Sequence, residues 1–137
     1  MRPRRAPALL LLLCAARGAP DEARTSVDFW ALGREGEVVR ELVPAFERRH
    51  PDLRVRVQQI PWSAAHEKLL TAFVGDAMPD VFQAGNTWLP ELVALGAIER
   101  LDGRIAGSGS VRPDDWFAGV LETAVVDGST WALPWYA

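Results

Sequence analysis

The side chains best suited to bind a ligand are tryptophans near the ends of predicted strands. Of the six tryptophans in the 137-residue chain, four lie at or near such ends: Trp30, Trp62, Trp88 and Trp135. Sugars present flat apolar faces to indole rings, and covering about 100 Å² of a ring contributes about 2.5 kcal/mol, against about 1 kcal/mol for a neutral hydrogen bond. We therefore expect Trp88 and Trp135 to act as binding platforms. Core packing is the alternative, which we favour for Trp116 and Trp131 and leave open for Trp30.

Polar groups follow the first predicted strand in the short loop that contains Gly33, Arg34 and Glu35. The Glu35 carboxylate can accept hydrogen bonds from sugar hydroxyls, and the Arg34 guanidinium beside it can donate them. The alternative for Glu35 is an ordinary favourable charge at the start of a helix. Both roles remain open for Glu35. The ligand role is favoured less for Arg34 than for Glu35.

A second polar set follows the third predicted strand. Gln83, Asn86 and Thr87 offer amide and hydroxyl groups there, and a polyol needs donors and acceptors in one place. Thr87 has an alternative role as the cap of the following helix. Asp80 enters the strand after a proline, so a cap or turn is a better interpretation for it than a ligand contact.

The sequence lacks the motifs of several other kinds of site. His50 and His66 are isolated, and the single cysteine, Cys14, lies in the N-terminal apolar segment, so no zinc motif exists. Residues 33–36 lack the glycine spacing of a dinucleotide or phosphate loop, and residues 107–110 do not lead from a strand into a helix as a nucleophile elbow does. We expect no metal and no cofactor.

Strands alternate with helices along the chain. Strand composition is found in residues 27–31, 53–60 and 81–84. Helical periodicity is found in residues 35–49 and in the segment after Ser63, whose apolar face is Ala65, Leu69, Ala72 and Phe73. This alternation implies βαβ crossovers, so we expect an α/β fold with a mostly parallel sheet that is flanked by helices.

The expected sheet has a direct consequence for the polar and aromatic residues. Ligands of open α/β sheets bind beyond the carboxyl ends of the strands. The loops 32–36, 60–64 and 84–88 would meet at that edge. We therefore expect the side chains of Glu35, Asn86 and Trp88 to lie together there.

Particular residues predict where the helices begin and end. Pro44 should kink or break the first helix. Ser63 can cap the second helix, and Gly75 is placed for a left-handed end. Thr87 can cap the third helix, and Gly96 can end it.

The last third of the chain has weaker patterns. Residues 103–110 are rich in glycine and serine and predict a loop. Residues 113–115 should start a fourth helix whose inner face includes Phe117, Val120, Leu121 and Ala124. Residues 127–128, Asp-Gly, predict a tight turn between two short strands.

The N-terminus has the pattern of a secretory signal peptide. Arginines precede the apolar residues 8–14, and small residues at 16–18 suit cleavage after Gly18. The apolar run is shorter than the roughly 20 residues of a membrane-spanning helix. We divide the chain into a signal peptide at 1–18, a linker at 19–25 and a domain at 26–137, with lipid attachment at Cys14 as the alternative to simple cleavage.

The charge of the mature chain excludes one class of partner. Removal of residues 1–18 takes away four of the fifteen basic residues and none of the eighteen acidic ones, which leaves a net charge of −7. An acidic domain without a basic stripe repels phosphate groups. We therefore expect no nucleic acid and no anionic lipid as a partner, whereas a neutral ligand is compatible.

Four segments in order resemble the extracellular solute-binding proteins of sugar ABC importers, the group that includes maltose-binding-like proteins. The segments are residues 28–37, residues 43–47 with 50–52, residues 79–88, and residues 126–128 with 133–136. The resemblance implies a class II periplasmic-binding-protein-like fold, of which this chain would form the N-terminal lobe. The chain ends where such proteins approach the hinge, so we expect the second lobe to be missing.

The resemblance also implies function and location. It implies binding of a small-molecule sugar between two lobes without catalysis, delivery to the permease subunits of an ABC transporter, and a monomeric protein. Such proteins are exported across the bacterial inner membrane and are periplasmic or anchored outside the cell. Gly33 and Tyr136 join Trp135 among the ligand-binding candidates on this basis.

Two alternatives remain at this stage. A secreted carbohydrate-active enzyme would use Glu35 and Asp80 as paired carboxylates, although nothing in their spacing supports a pair. The other alternative is that the 137-residue chain is a non-functional remnant of a truncated protein.

Overall fold

A three-stranded parallel sheet forms the centre of the fold. The computed structural model describes residues 24–135. The strands are β1 (Thr25–Leu32), β2 (Leu53–Ile60) and β3 (Val81–Phe82), in the order β2-β1-β3. The predicted parallel α/β sheet is confirmed. The signal peptide, Cys14 and Tyr136 lie outside the described residues.

Helix α1 (Glu35–Arg49) packs on one face of the sheet. Gly36 and Val39 are buried there, and the Glu47 carboxylate accepts a hydrogen bond of 2.9 Å from the backbone N–H of Val55. Of the two outcomes predicted at Pro44, the break is wrong, because the helix continues through this residue, and the kink stays a prediction. Pro44 and Arg40 both lie on the exposed side, where water can satisfy the carbonyl that a proline leaves unpaired.

Helix α2 (Trp62–Val74) packs on the opposite face, and its predicted apolar side is confirmed. Ala65 contacts Leu32 and Ile60 in a buried cluster at the carboxyl end of the sheet. The predicted cap at Ser63 is wrong, because the helix begins at Trp62 after an extended Pro61 and has no side-chain cap. β3 is also less buried than expected, since Val81 is half exposed.

The predicted left-handed end of α2 is also shifted by one residue. Gly75 has φ −85°, and the positive φ of 51° belongs to Asp76. Aspartate tolerates this conformation better than most residues because its short side chain can bond locally.

A 3₁₀ turn (Asn86–Trp88) leads into helix α3 (Leu89–Leu95). Gly96 ends α3 with φ 69°, as predicted. Thr87 lies inside the 3₁₀ turn and makes no capping bond, so its predicted cap is wrong. Its side chain is exposed instead.

The last third of the described chain differs most from expectation. The short helix α4 (Asp102–Ala106) replaces part of the predicted loop. The predicted fourth helix is divided into a 3₁₀ turn (Pro113–Asp115) and α5 (Ala118–Glu122), and Phe117 between them is 78% exposed. β4 (Val125–Val126) and β5 (Ser129–Thr130) form the predicted hairpin, with φ 50° and 72° at its two central residues.

A polar network links the three parallel strands. Asp28 of β1 binds Arg56 of β2 through two contacts of 2.6 Å, and its backbone N–H donates to the Asp80 carboxylate at 2.8 Å. The hydrogen bond from Arg56 lowers the pKa of Asp28 below its ordinary value. Asp80 therefore joins the start of β3 to β1.

No helix in the described part of the chain is long and apolar enough to cross a membrane.

Leu69→Ala should lower the free energy of unfolding by about 3 kcal/mol, because it opens a cavity at a side chain that is 1% exposed. Val74→Ala, in the same helix at a side chain 86% exposed, should change it by less than about 0.5 kcal/mol. Urea denaturation followed by circular dichroism measures both values. Equal losses would contradict the packing of α2.

Asp28→Asn should remove a contribution to stability that depends on pH. Since the pKa of Asp28 is lower in the folded than in the unfolded state, this contribution is present above about pH 4 and lost as the pH falls through the lower folded-state value. The denaturation midpoints of wild type and variant should therefore differ at neutral pH and converge in acid. Asp114→Asn, in an exposed turn, serves as the control, and a pH-independent difference for Asp28→Asn would refute the role of its charge.

Candidate functional site

The topology creates a crevice at the carboxyl edge of the sheet. β2 lies on one side of β1 and β3 on the other, so the chain reverses its direction across the sheet. The helix after β1 covers one face, and the helix after β2 covers the opposite face. Ligands of open α/β sheets bind at such a reversal. The loops that follow β1, β2 and β3 surround it.

Hydrogen bonds fix the backbone of the loop after β1. The N–H of Gly33 donates to the carbonyl of Ile60 at 2.9 Å, and the Gln59 side chain donates to the carbonyl of Gly33 at 2.6 Å. Arg40 of α1 in turn donates to the Gln59 oxygen at 3.0 Å. Gly33 has φ 56°, which favours glycine. The loop is therefore held from both α1 and β2.

The Trp62 indole and the Glu35 carboxylate lie directly against Gly33. A Cβ atom on Gly33 would come within 2.8 Å of Trp62 Cδ1 and 2.9 Å of Glu35 Oε2. Trp62 is 41% exposed. The missing side chain at position 33 thus allows an exposed indole and a carboxylate to approach the same backbone.

Trp88 completes an aromatic pair with Trp62. The two ring centroids are 6.0 Å apart, and the rings are inclined at 63° in an edge-to-face arrangement. The Trp88 ring also lies against the backbone of Gly85, where a Cβ atom would come within 3.1 Å. Glu35, Gly33, Trp62 and Trp88 therefore form a continuous cluster, which we call the rim cluster.

Free polar groups accompany the rim cluster. Asn86 and Thr87 belong to the same 3₁₀ turn as Trp88, and Arg34 precedes Glu35; all three side chains are exposed. Within residues 24–135, none of the three side chains makes a hydrogen bond to the protein. The expectation that Glu35, Asn86 and Trp88 lie at one edge therefore agrees with the geometry.

Comparison with known proteins identifies the family. Residues 30–137 match the model of the bacterial extracellular solute-binding proteins. The chain belongs to this family. The predicted resemblance is thus confirmed, and the fold is that of the N-terminal part of a periplasmic binding protein.

Several relatives of this solute-binding protein are known. The sugar-binding protein MalE of Xanthomonas citri is 54% identical with a TM-score of 0.79, over 82% of this chain and 28% of MalE. The diacetylchitobiose-binding protein DasA of Streptomyces coelicolor is 31% identical over 121 residues, or 87% of this chain and 27% of DasA. A lipoprotein of Streptomyces antibioticus is 30% identical over 129 residues, or 92% of this chain and 28% of its own length. The chain thus spans less than a third of these relatives.

Gln83 is buried in this solute-binding protein and supports the backbone. Its side-chain oxygen accepts a hydrogen bond from the backbone N–H of Leu32 at 2.8 Å. The backbone N–H of Gln83 donates to the carbonyl of Trp30 at 2.9 Å. Gln83 therefore extends the pairing between β1 and β3. A ligand role for Gln83 stays a prediction and depends on its side-chain nitrogen alone.

The other tryptophans have different surroundings. Trp30 packs against the buried cluster beneath Trp88, with Lys68 Nζ 4.7 Å from its ring, and Trp131 donates to the carbonyl of Val126 at 3.1 Å. Trp135 is half exposed, and its ring partner is Phe29, 6.0 Å away, in the middle of β1. The structure thus brings Trp62, rather than Trp135, together with Trp88.

The geometry also bears on catalysis and metal binding. Asp80 bonds to Asp28, and four residues of strand, about 13 Å, separate Asp28 from Leu32 at the carboxyl edge where Glu35 lies. Paired carboxylates of glycosidases are about 5–10 Å apart, so Glu35 and Asp80 do not form such a pair. Among residues 24–135, no group of three or more histidine, cysteine or acidic side chains could hold a metal ion.

The sequence placed Trp62 near a strand end but did not favour it as a binding platform. It did not identify Gln59 or Arg40 as residues that hold the Gly33 loop. Trp62 follows the end of β2 by only one residue, Pro61, and this position was a usable signal. Gln59 and Arg40 belong to the regular pattern of a strand and a helix, so only their contacts with the Gly33 loop distinguish them.

Gly33→Ala should displace Trp62, because the new Cβ atom would meet the indole ring in addition to straining the backbone. Gly96→Ala is the matched control, since Gly96 also has a positive φ but nothing within 4 Å of its Cβ position. Each variant should lose about 1–2 kcal/mol of stability from backbone strain. Only Gly33→Ala should weaken the circular dichroism couplet of the indole pair. A couplet unchanged in Gly33→Ala would contradict the contact.

Proposed function

We propose that this chain supplies sugar-contacting loops of the extracytoplasmic substrate-binding component of a carbohydrate ABC importer. The rim cluster is the observation that carries the proposal. An exposed indole at the carboxyl edge of a parallel sheet, inclined to a second indole and next to a carboxylate, suits a ligand with flat apolar faces and hydroxyl edges. The family and the sugar-binding relatives support the same function.

The indole and the polar side chains would contribute differently to sugar binding. The Trp62 face can stack on a sugar ring, and this burial would provide most of the affinity. Glu35 can accept hydrogen bonds from hydroxyls, whereas Arg34 can donate them and Asn86 can do both. These polar groups would decide which sugar is preferred. Thr87 and the predicted contacts of Trp135 and Tyr136 would complete the site.

The whole protein would bind its ligand between this lobe and a second one. Closure of the two lobes would create the surface that the permease subunits recognise, without any reaction of the sugar. Export by the signal at 1–18, with either cleavage after Gly18 or a lipid on Cys14, would place the domain at 26–137 outside the cytoplasm as a monomer. The net charge of −7 for the mature chain is compatible with a neutral ligand.

Trp62→Ala should weaken sugar binding by roughly tenfold to a hundredfold, because it removes the stacking face of the rim cluster. The test uses a chimera in which residues 24–135 replace the matching part of Xanthomonas citri MalE, so that a second lobe is present. Calorimetry with maltose, mannotriose and diacetylchitobiose measures the affinities. Phe117→Ala, at an exposed aromatic side chain outside the rim cluster, should leave them unchanged.

Two results would reject the proposal. One is a folded chimera that binds none of these sugars. The other is an equal affinity in Trp62→Ala and Phe117→Ala, which would exclude the rim cluster from the site. Release of reducing sugar by the chimera would favour the enzyme instead.

A further inference from the structure

A histidine lies behind the aromatic pair. The His66 ring centroid is 4.9 Å from that of Trp88, and the two rings are inclined at 36°. His66 Nε2 is 2.6 Å from Glu91 Oε2, and the two side chains are 39% and 47% exposed. The imidazole is therefore held between a carboxylate and an indole.

The contact joins α2, which carries Trp62, to α3, which begins directly after Trp88. Trp62 and His66 are four residues apart in α2 and so lie on the same side of that helix. Glu91 lies in the first turn of α3, three residues after Trp88. Among residues 24–135, the bond between His66 and Glu91 is the only side-chain hydrogen bond between α2 and α3. It therefore links the helix that carries Trp62 to the helix that directly follows Trp88.

We propose that His66, held by Glu91, is a positioning residue that sets the angle and separation of the Trp62 and Trp88 rings. The bond fixes the imidazole against one side of Trp88, while Trp62 and Gly85 bound that ring elsewhere. Loss of the bond removes the restraint that holds the imidazole against Trp88, so the Trp88 ring is no longer confined on that side. Its effect on sugar affinity rests on the proposed function, whereas its effect on the indole pair does not.

The charge of His66 strengthens this arrangement when the ring is protonated. An imidazolium forms a charge-assisted hydrogen bond with the Glu91 carboxylate and a cation–π contact with Trp88. The other charged groups nearby on α2 are Glu67 and Lys68, of which Lys68 contacts Trp30, and Glu35 lies beside Trp62.

The indole couplet in circular dichroism tests the proposal on the 137-residue chain, because its strength depends on the angle and separation of the Trp62 and Trp88 rings. His66→Ala should lose at least about half of the couplet. His66→Gln, which keeps a donor to Glu91, should restore it.

His50→Ala is the matched control, because this histidine packs on Phe46 at 4.5 Å and not on a tryptophan. It should retain the couplet. A couplet that persists in His66→Ala would overturn the proposal. If His66→Ala does not fold, Glu91→Ala, which removes the partner of the imidazole, provides the same comparison, and an unchanged couplet in that variant would overturn the proposal equally.

Sugar titration separates this inference from the proposed function. In the chimera, His66→Ala should weaken binding about threefold to tenfold, and His66→Gln should recover part of the loss. A chimera that binds no sugar rejects the proposed function, and the couplet of the chain alone then decides whether His66 positions the indoles. A collapsed couplet with unchanged affinity would overturn the link between positioning and binding.

Discussion

The position of β1 between β2 and β3 is the constraint on which the rest of this structure depends. All eight residues of β1 pair in parallel with β2, whereas β3 contributes only two paired residues. Gln83 compensates for the short β3, since its side chain binds the N–H of Leu32 on the side of β1 where β3 has already ended. This arrangement brings three strand ends to one edge. Every residue of the rim cluster follows one of those ends.

Polar side chains have two different roles at that edge. Gln59 and Gln83 are turned toward the backbone and satisfy groups that would otherwise be buried without partners. Asn86 and Arg34 point to solvent and make no hydrogen bond within the described residues. A ligand site needs both kinds, because free donors are selective only if the backbone that carries them is fixed.

The surroundings of the indole pair hold the two rings in place. Trp62 lies over Gly33, and Trp88 lies over Gly85 with His66 on another side. The buried residues Leu32, Ile60 and Ala65 pack against Trp88. The order of the rings is therefore provided by the protein before a ligand arrives, which lowers the entropic cost of binding.

Local patterns in the sequence were sufficient for the longer elements β1, α1, β2 and α2 and for the family. The alternation of apolar and polar residues in β2, and the apolar side of α2, specify which face of each element is buried. Asp127 and Gly128 specify the hairpin turn, because both residues tolerate a positive φ. Helix starts were less predictable. Ser63 and Thr87 have capping side chains but lie inside helical turns, because Pro61 and Gly85 with extended backbones precede them.

The sequence by itself determined the elements β1, α1, β2 and α2 and the Asp127–Gly128 turn, because hydrophobic periodicity and turn propensity act over a few neighbouring residues. It also placed polar and aromatic groups at the strand ends. Only the tertiary structure decided that Trp62 pairs with Trp88, that Gln83 is turned inward, and that His66 meets Glu91. Those contacts join residues 25 to 51 positions apart, and they depend on strand order and on helix placement, which no local pattern encodes.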